Sequence, residues 1–82
     1  MKGFHYVYIL QSINEPDCFY TGFTEDLKGR LEKHNNGEVP HTSKYKPWQL
    51  KTALAFRDPA RAIAFEAYLK SASGRAFAKK RL

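Results

Sequence analysis

Two short tyrosine-bearing segments constrain this 82-residue chain most strongly, residues 6–10 (YVYIL) and residues 19–23 (FYTGF). In both segments the side chains alternate as in strands, and the turn signal NEPD lies between them at residues 14–17. The segments therefore predict an antiparallel hairpin. Folding it symmetrically about Asn14 predicts that Tyr8 lies opposite Tyr20, with Cβ atoms about 5 Å apart.

Further along the chain, the pattern predicts one more strand and three helices. Thr24 is a suitable N-cap for the first helix, and Gly37 is suited to end it in the left-handed conformation. A polar, basic loop at residues 38–47 leads to a third strand at residues 48–56, whose Leu50 is predicted to share a face with Thr52, Leu54 and Phe56. Asp58-Pro59 starts a second helix, and residues 75–82 form a short last one. The order β-β-α-β-α-α predicts an α+β fold, because helices must cover so small a sheet.

Composition limits the class of protein. A hydrophobic fraction of 43% with 15% aromatic residues excludes disorder, and we expect one domain over residues 1–82. No segment resembles a signal peptide or reaches transmembrane length. The lone Cys18 fits a reducing cytoplasm, which is the expected location. A formal charge of +6 and a pI of about 9.6 favour a polyanionic partner, although solubility alone also explains such a charge.

The distribution of basic residues favours nucleic acid as that partner. After Glu66 the chain has several lysines and arginines but no acidic residue. This segment is either a solvated basic tail or a surface that contacts phosphates. The candidate nucleic-acid-binding residues are Lys44, Lys46, Lys70, Arg75 and Lys79.

Glu66 is the only acid in a helical segment of small and apolar residues. Two interpretations stay open: an ion pair with Lys70, four residues further on, or a role in binding metal or substrate. Arg30 and His34 are also four residues apart, so they share one face of the first helix. Each of these two residues is alternatively an ordinary helix-surface or helix-end side chain.

These residues together resemble the GIY-YIG endonuclease domain, and most closely its small stand-alone bacterial members. Residues 6–8 (YVY) occupy the place of the first motif, and residues 20–22 (YTG) that of the second. Residues 24–35 resemble the family's first helix, residues 47–50 (PWQL) the entry to the third strand, and residues 65–70 (FEAYLK) the helix that bears the family's glutamate. Tyr6 and Thr21 replace the glycine and the isoleucine after which the two motifs are named.

The resemblance implies a three-stranded mixed sheet flanked by helices and the hydrolysis of DNA phosphodiester bonds with one divalent metal, Mg²⁺ or Mn²⁺. It implies that Glu66 binds the metal and that Arg30 holds the scissile phosphate. It further implies that Tyr8 is a general base or orients the attacking water, and that Tyr20 binds the water or a phosphate oxygen. His34 would be a second polar catalytic group, which could serve as a proton carrier. Branched or single-stranded DNA, in repair or recombination, would suit such an enzyme.

Three other possibilities stay open from the sequence alone. Without the family motifs, Tyr8 and Tyr20 are more simply interpreted as aromatic packing on a sheet. The chain is alternatively a nucleic-acid-binding module with little or no cleavage, which the basic loop and tail would suit. A homodimer is also compatible with the sequence, although no pattern requires it.

Overall fold

The computed structural model describes residues 3–82, which form a three-stranded sheet with helices on both faces. The elements are β1 (His5–Ser12), β2 (Phe19–Thr24), α1 (Leu27–Asn35), α2 (Pro40–Ser43), β3 (Trp48–Phe56), α3 (Pro59–Leu69) and α4 (Ala72–Arg81). The predicted α+β class is confirmed, with one addition: the loop expected at residues 38–47 contains the one-turn helix α2. Among the described residues, no helix combines the length and apolar character that crossing a membrane requires.

The sheet has the order β2-β1-β3, and β1 is antiparallel to both of its neighbours. The expectation of a mixed sheet is therefore wrong for the described strands. After β2, α1 leads the chain back to the hairpin end, so that β3 starts with Trp48 paired to Ser12. The two outer strands consequently run in the same direction and never pair with each other, because β1 lies between them.

The register of the hairpin differs from the predicted one by two residues. Tyr8 lies opposite Gly22, and Tyr20 lies opposite Leu10, so the turn is centred on Glu15 rather than on Asn14. Ser12 explains the shift, because its hydroxyl accepts a hydrogen bond from the Glu15 amide and donates one to the Tyr45 carbonyl. A shift of two residues preserves the face of each side chain, so Tyr8 and Tyr20 remain on the same side as diagonal neighbours.

Each face of the sheet carries its own small core. On one face, Val7 and Ile9 pack with Ala62 and Leu69 beneath α3 and α4. On the other, Tyr8, Leu10 and Trp48 form a second cluster, against which half-buried side chains of α1 pack. The alternation of β1 therefore determines which residues face α1, and this places Tyr8 on that side.

Two local predictions need correction. Leu50 does not share a face with Thr52 and Leu54, because a bulge shifts the pairing of β3 with β1 and places Leu50 opposite Leu10. Thr24 is not the N-cap of α1 but the last residue of β2, and the cap is Asp26, whose carboxylate accepts a hydrogen bond from the Gly29 amide. The predicted left-handed end at Gly37 is confirmed by its φ of +76°.

Gly74 allows α4 to pack closely against the end of α3. A Cβ atom at this position would lie 2.5 Å from the carbonyl carbon of Tyr68 and 2.6 Å from the Cα of Leu69, and neither backbone atom can move away easily. We therefore expect Gly74→Ala to lower the free energy of unfolding by about 1–3 kcal/mol, although alanine has the higher helix propensity. Urea unfolding followed by Trp48 fluorescence measures this. Ser73→Ala, at an exposed position of the same helix, is the control and should have little effect; an equally stable Gly74→Ala would contradict the packing argument.

Candidate active site

A chain of buried polar groups links β1 to α1 and α2. The Tyr8 hydroxyl lies 3.1 Å from Nε2 of His34, and Nδ1 of His34 lies 2.7 Å from Oγ1 of Thr42. The Thr42 hydroxyl is 3.3 Å from the Val39 carbonyl oxygen, which can only accept. Tyr8, His34 and Thr42 each expose 1% of their surface or less. Buried polar groups of this kind are retained where each has a partner, and here every member has one.

The hydrogen-bond partners determine which atoms of Tyr8, His34 and Thr42 carry the protons. Because the Thr42 hydroxyl donates to Val39, it accepts from His34, and the proton of the neutral imidazole is then on Nδ1. Nε2 of His34 is consequently an acceptor, and the Tyr8 hydroxyl donates to it. This arrangement leaves the lone pairs of the Tyr8 oxygen available to another donor.

The electrostatic surroundings keep both Tyr8 and His34 neutral. Burial, with smaller contributions from Tyr20 and Glu66, raises the pKa of Tyr8 to about 12, although Arg30 acts in the opposite direction. Burial also lowers the pKa of His34, and the Arg30 guanidinium lowers it further. Near neutral pH the resting site therefore contains a phenol and an uncharged imidazole.

Gly22 provides the space that the Tyr8 ring occupies. A Cβ atom at this position would lie 2.5 Å from Cζ and 2.9 Å from Cε1 of Tyr8, and it would also overlap the hydroxyl. The pairing of Tyr8 with Gly22 is therefore what allows the phenol to lie across β2 and reach His34. The close approach of the Tyr8 ring thus explains why position 22, in the second motif, is a glycine.

The structure brings Tyr20 and Arg30 to the same place. The Tyr20 ring centroid lies 4.9 Å from that of His34 and 6.3 Å from that of Tyr8. Arg30, one turn before His34 on α1, is half-buried and close enough to affect the pKa of both Tyr8 and His34. A cation thus lies near the Tyr8 hydroxyl, and the Tyr20 ring lies beside Tyr8 and His34 in the same cluster, an arrangement that suits a bound phosphate.

Glu66 approaches this group from α3. Its Oε2 atom lies 3.0 Å from Nζ of Lys70, so the predicted ion pair is present. The Glu66 side chain is 22% exposed, and its charge is near enough to raise the pKa of Tyr8. A metal-binding role for Glu66 requires Lys70 to move away from the carboxylate, and the Lys70 side chain is 53% exposed, which leaves it room to do so.

The residues around Glu66 fit one hard divalent cation. Magnesium is commonly held by one or two carboxylates, with water and phosphate oxygens as its other ligands. Within residues 3–82, no group of three or more His, Cys, Asp or Glu side chains could hold a metal ion. Glu66 could thus be a single ligand for Mg²⁺ or Mn²⁺, whereas the described residues provide no set of ligands for zinc.

The basic residues singled out in the sequence separate into two places. Lys70, Arg75 and Lys79 line one cleft. Lys44 and Lys46 are exposed on the connection between α2 and β3 and do not line that cleft. The structure therefore does not bring all five candidate nucleic-acid-binding residues together.

Sequence reasoning missed Thr42, which orients His34. Its carbonyl accepts a hydrogen bond from Nε1 of Trp48 at 2.9 Å, and Asn35 binds the Trp48 backbone, so the turn of α2 is fixed against α1. Pro40, at the start of α2, is the one local signal for this turn. The contact between positions 34 and 42 depends on tertiary packing, which the spacing of residues does not reveal.

The buried His34 makes stability depend on pH. Its pKa in the folded protein is below the ordinary 6.5, so the unfolded chain binds a proton more readily and the free energy of unfolding falls as pH decreases below 6.5. The slope for one proton is at most about 1.4 kcal/mol per pH unit. Urea titrations across this range should show the loss in wild type and in the exposed control His41→Gln, but much less in His34→Gln. The same slope in all three proteins would contradict the neutral buried state.

Comparison with known proteins identifies the family and several relatives of this chain. The model of the GIY-YIG catalytic domain matches residues 4–81. A UPF0213 protein of Haloquadratum walsbyi is 36% identical over 72 residues, which cover 87% of this chain and 79% of that protein. The structure-specific endonuclease subunit SLX1 of Debaryomyces hansenii is 33% identical over 69 residues, which are 77% of this chain but only 20% of that protein.

A solved structure is also similar. The solution NMR structure of the UPF0213 protein BH0048 from Bacillus halodurans matches with a TM-score of 0.56 and 32% identity, covering 93% of this chain and 80% of that one. The matched residues 4–81 include Tyr8, Tyr20, Arg30, His34 and Glu66. The chain therefore belongs to the GIY-YIG catalytic domain family, the family of endonuclease domains that its two tyrosine motifs resemble.

Proposed function

We propose that this protein is a metal-dependent endonuclease that hydrolyses DNA phosphodiester bonds. The observation that carries the proposal is the buried chain from Tyr8 through His34 to Thr42, beside Arg30 and Glu66. Hydrolysis of a phosphodiester needs a water that loses a proton and positive charge on the phosphate. The named groups provide both.

We propose that Tyr8 acts as a proton relay rather than as a phenolate base. With a pKa of about 12, the phenol is a poor base by itself. Its oxygen can accept a proton from the attacking water while its own proton passes to Nε2 of His34, 3.1 Å away. The water then attacks phosphorus as hydroxide, the imidazole becomes cationic, and Thr42 holds the Nδ1 proton in place.

Arg30 and Tyr20 would position the phosphate in this scheme. The Arg30 guanidinium would offset the charge that develops on the phosphoryl oxygens. The Tyr20 hydroxyl would donate to the attacking water or to a phosphate oxygen. Glu66 would hold Mg²⁺ or Mn²⁺, which when bound supplies Lewis-acid stabilisation of the phosphoryl oxygens. For this, the Lys70 ammonium would release the carboxylate.

We also propose a structure-specific role in DNA repair or recombination, within the cytoplasm. The similarity to a structure-specific endonuclease subunit supports the proposed structure specificity. The unpaired Cys18 is compatible with a reducing compartment such as the cytoplasm. The net charge of +6 supports a polyanionic substrate.

The test is incubation of purified protein with branched, single-stranded and duplex DNA in Mg²⁺ or Mn²⁺. The double variant Tyr8→Phe/Glu66→Gln, purified in parallel, identifies any contaminating nuclease. We expect cleavage that a chelator abolishes and that the double variant lacks. Equal cleavage by the double variant would reject the proposal.

A second function is favoured by one contact. Lys70 already neutralises Glu66, as expected of a nucleic-acid-binding module that does not cleave. Tight, salt-dependent DNA binding without metal-dependent cleavage would favour this alternative. Failure to bind DNA or RNA at low salt would count against both functions.

A further inference from the structure

A large basic cleft lies on the face of the sheet opposite to His34. It has a volume of about 800 Å³, and Ile9 and Thr21 of the sheet are among its lining residues. Both of these residues belong to the side of the sheet that α3 and α4 cover. Four basic side chains and one acidic side chain line the cleft, namely Lys51, Lys70, Arg75, Lys79 and Asp17.

The cleft also contains aromatic surface. Phe19 is 51% exposed at the hairpin end of β2, and the Lys51 ammonium lies 5.9 Å from its ring centroid. Tyr20 is a further lining residue. Positive grooves with exposed aromatic rings bind unpaired nucleic-acid strands, because phosphates meet the cations and bases stack on the rings.

Two residues connect the cleft to the candidate active site. Tyr20 lines the cleft, and its ring is also 4.9 Å from that of His34. Lys70 lines the cleft, pairs with Glu66 at 3.0 Å and lies 5.9 Å from the centroid of the Tyr20 ring. The two sites therefore meet at β2, which is an edge strand.

This connection restricts the shape of the ligand. A nucleic acid that occupied both sites would have to turn around the edge of β2, in a molecule only 18 Å across its shortest axis. Duplex DNA, with a persistence length of about 50 nm, resists so sharp a turn. A single strand can make it.

We propose that this cleft binds the unpaired DNA flank of the cleaved strand, with its phosphates on Lys51, Lys70, Arg75 and Lys79 and a base stacked on Phe19. The inference rests on the proposed function, and it makes that function more specific: the substrate carries single-stranded DNA next to the scissile phosphate. Lys44 and Lys46 have no part in this contact.

Fluorescence anisotropy with a labelled oligothymidylate and a duplex of equal length tests the inference without any cleavage. The variants are Phe19→Ala and the double variant Arg75→Gln/Lys79→Gln. The matched control is Lys80→Gln/Arg81→Gln, which makes the same change of charge on α4 outside the cleft. Circular dichroism shows whether each variant is folded.

We expect wild type to bind the single strand more tightly than the duplex. Phe19→Ala should weaken single-strand binding about tenfold. The cleft double variant should reduce the slope of log affinity against log salt by about 1.4, as for two phosphate contacts, and the control should change that slope less. Equal binding of duplex, or cleft variants that behave like the control, would overturn the inference.

The proposed nuclease activity and the proposed cleft can be rejected independently of each other. Loss of binding in the cleft variants, with no metal-dependent cleavage by wild type, would reject the nuclease and retain the cleft. If wild type cleaves DNA with metal but the variants at Phe19, Arg75 and Lys79 bind the single strand as wild type does, the nuclease proposal stands and the cleft proposal is rejected.

Discussion

Replacing Tyr8 by phenylalanine lowers the rate of metal-dependent DNA cleavage by about a hundredfold or more, if the proposed mechanism holds. The substitution keeps the ring in the α1-side core and removes only the hydroxyl that donates to Nε2 of His34. The water then has no acceptor connected to the imidazole. Single-turnover cleavage with the enzyme in excess measures this loss at the chemical step.

A stability measurement and a control variant at Tyr6 distinguish this loss of catalysis from damage to the fold. Tyr8→Phe leaves a buried acceptor on His34 without its donor, which costs about 1–3 kcal/mol. Tyr6→Phe is the matched control, because Tyr6 lies on the same face of β1 and is half-buried. We expect Tyr6→Phe to cleave as wild type does. A Tyr8→Phe protein that is folded and as active as wild type would contradict the relay.

Replacing Glu66 by glutamine is the second large effect. We expect the dependence of cleavage on Mg²⁺ or Mn²⁺ to disappear, with the rate falling about a hundredfold or more. Glutamine preserves the shape of the side chain but lacks the charge that binds a hard cation. Cleavage rates across a metal titration measure the effect, and isothermal titration calorimetry with Mn²⁺ should lose the binding heat.

The Glu66→Gln substitution is also expected to change the pKa of Tyr8. The Glu66 charge raises the pKa of Tyr8, so Glu66→Gln should make the phenol easier to deprotonate. Easier release of the Tyr8 proton favours its transfer to His34 in the proposed relay, so this side effect would not by itself lower the rate. Glu32→Gln, at an exposed position of α1, is the control and should retain both metal binding and cleavage. Unchanged metal-dependent cleavage in Glu66→Gln would exclude Glu66 as the metal ligand.

The sequence was sufficient to predict most of the elements because their signals are local. The alternation of the two tyrosine segments predicted β1 and β2, and the predicted third strand agrees with β3 at Trp48–Phe56. Asp58-Pro59 predicted the start of α3, where Asp58 caps the helix through the Ala60 amide. The spacing of Arg30 and His34 correctly indicated a shared face, since Arg30 affects the pKa of His34.

The errors arise where distant parts of the chain decide the conformation. The centre of the hairpin turn depends on the Ser12 hydroxyl, which bonds to the Tyr45 carbonyl 33 residues away. The face of Leu50 depends on a bulge that appears only when β3 pairs with β1. The contact of Thr42 with His34 depends on the packing of α2 against Trp48, which lies beyond the reach of local sequence signals.

The central claim is that Tyr8, His34, Arg30 and Glu66 form one hydrolytic site. A crystal structure with Mn²⁺ and a DNA that resists hydrolysis tests it most directly. We expect an anomalous peak about 2.1 Å from a Glu66 carboxylate oxygen, Lys70 withdrawn from that carboxylate, and the phosphate between Arg30 and the Tyr8 hydroxyl. Manganese bound elsewhere, with the 3.0 Å contact between Glu66 and Lys70 intact and the phosphate remote from Tyr8, would contradict the account.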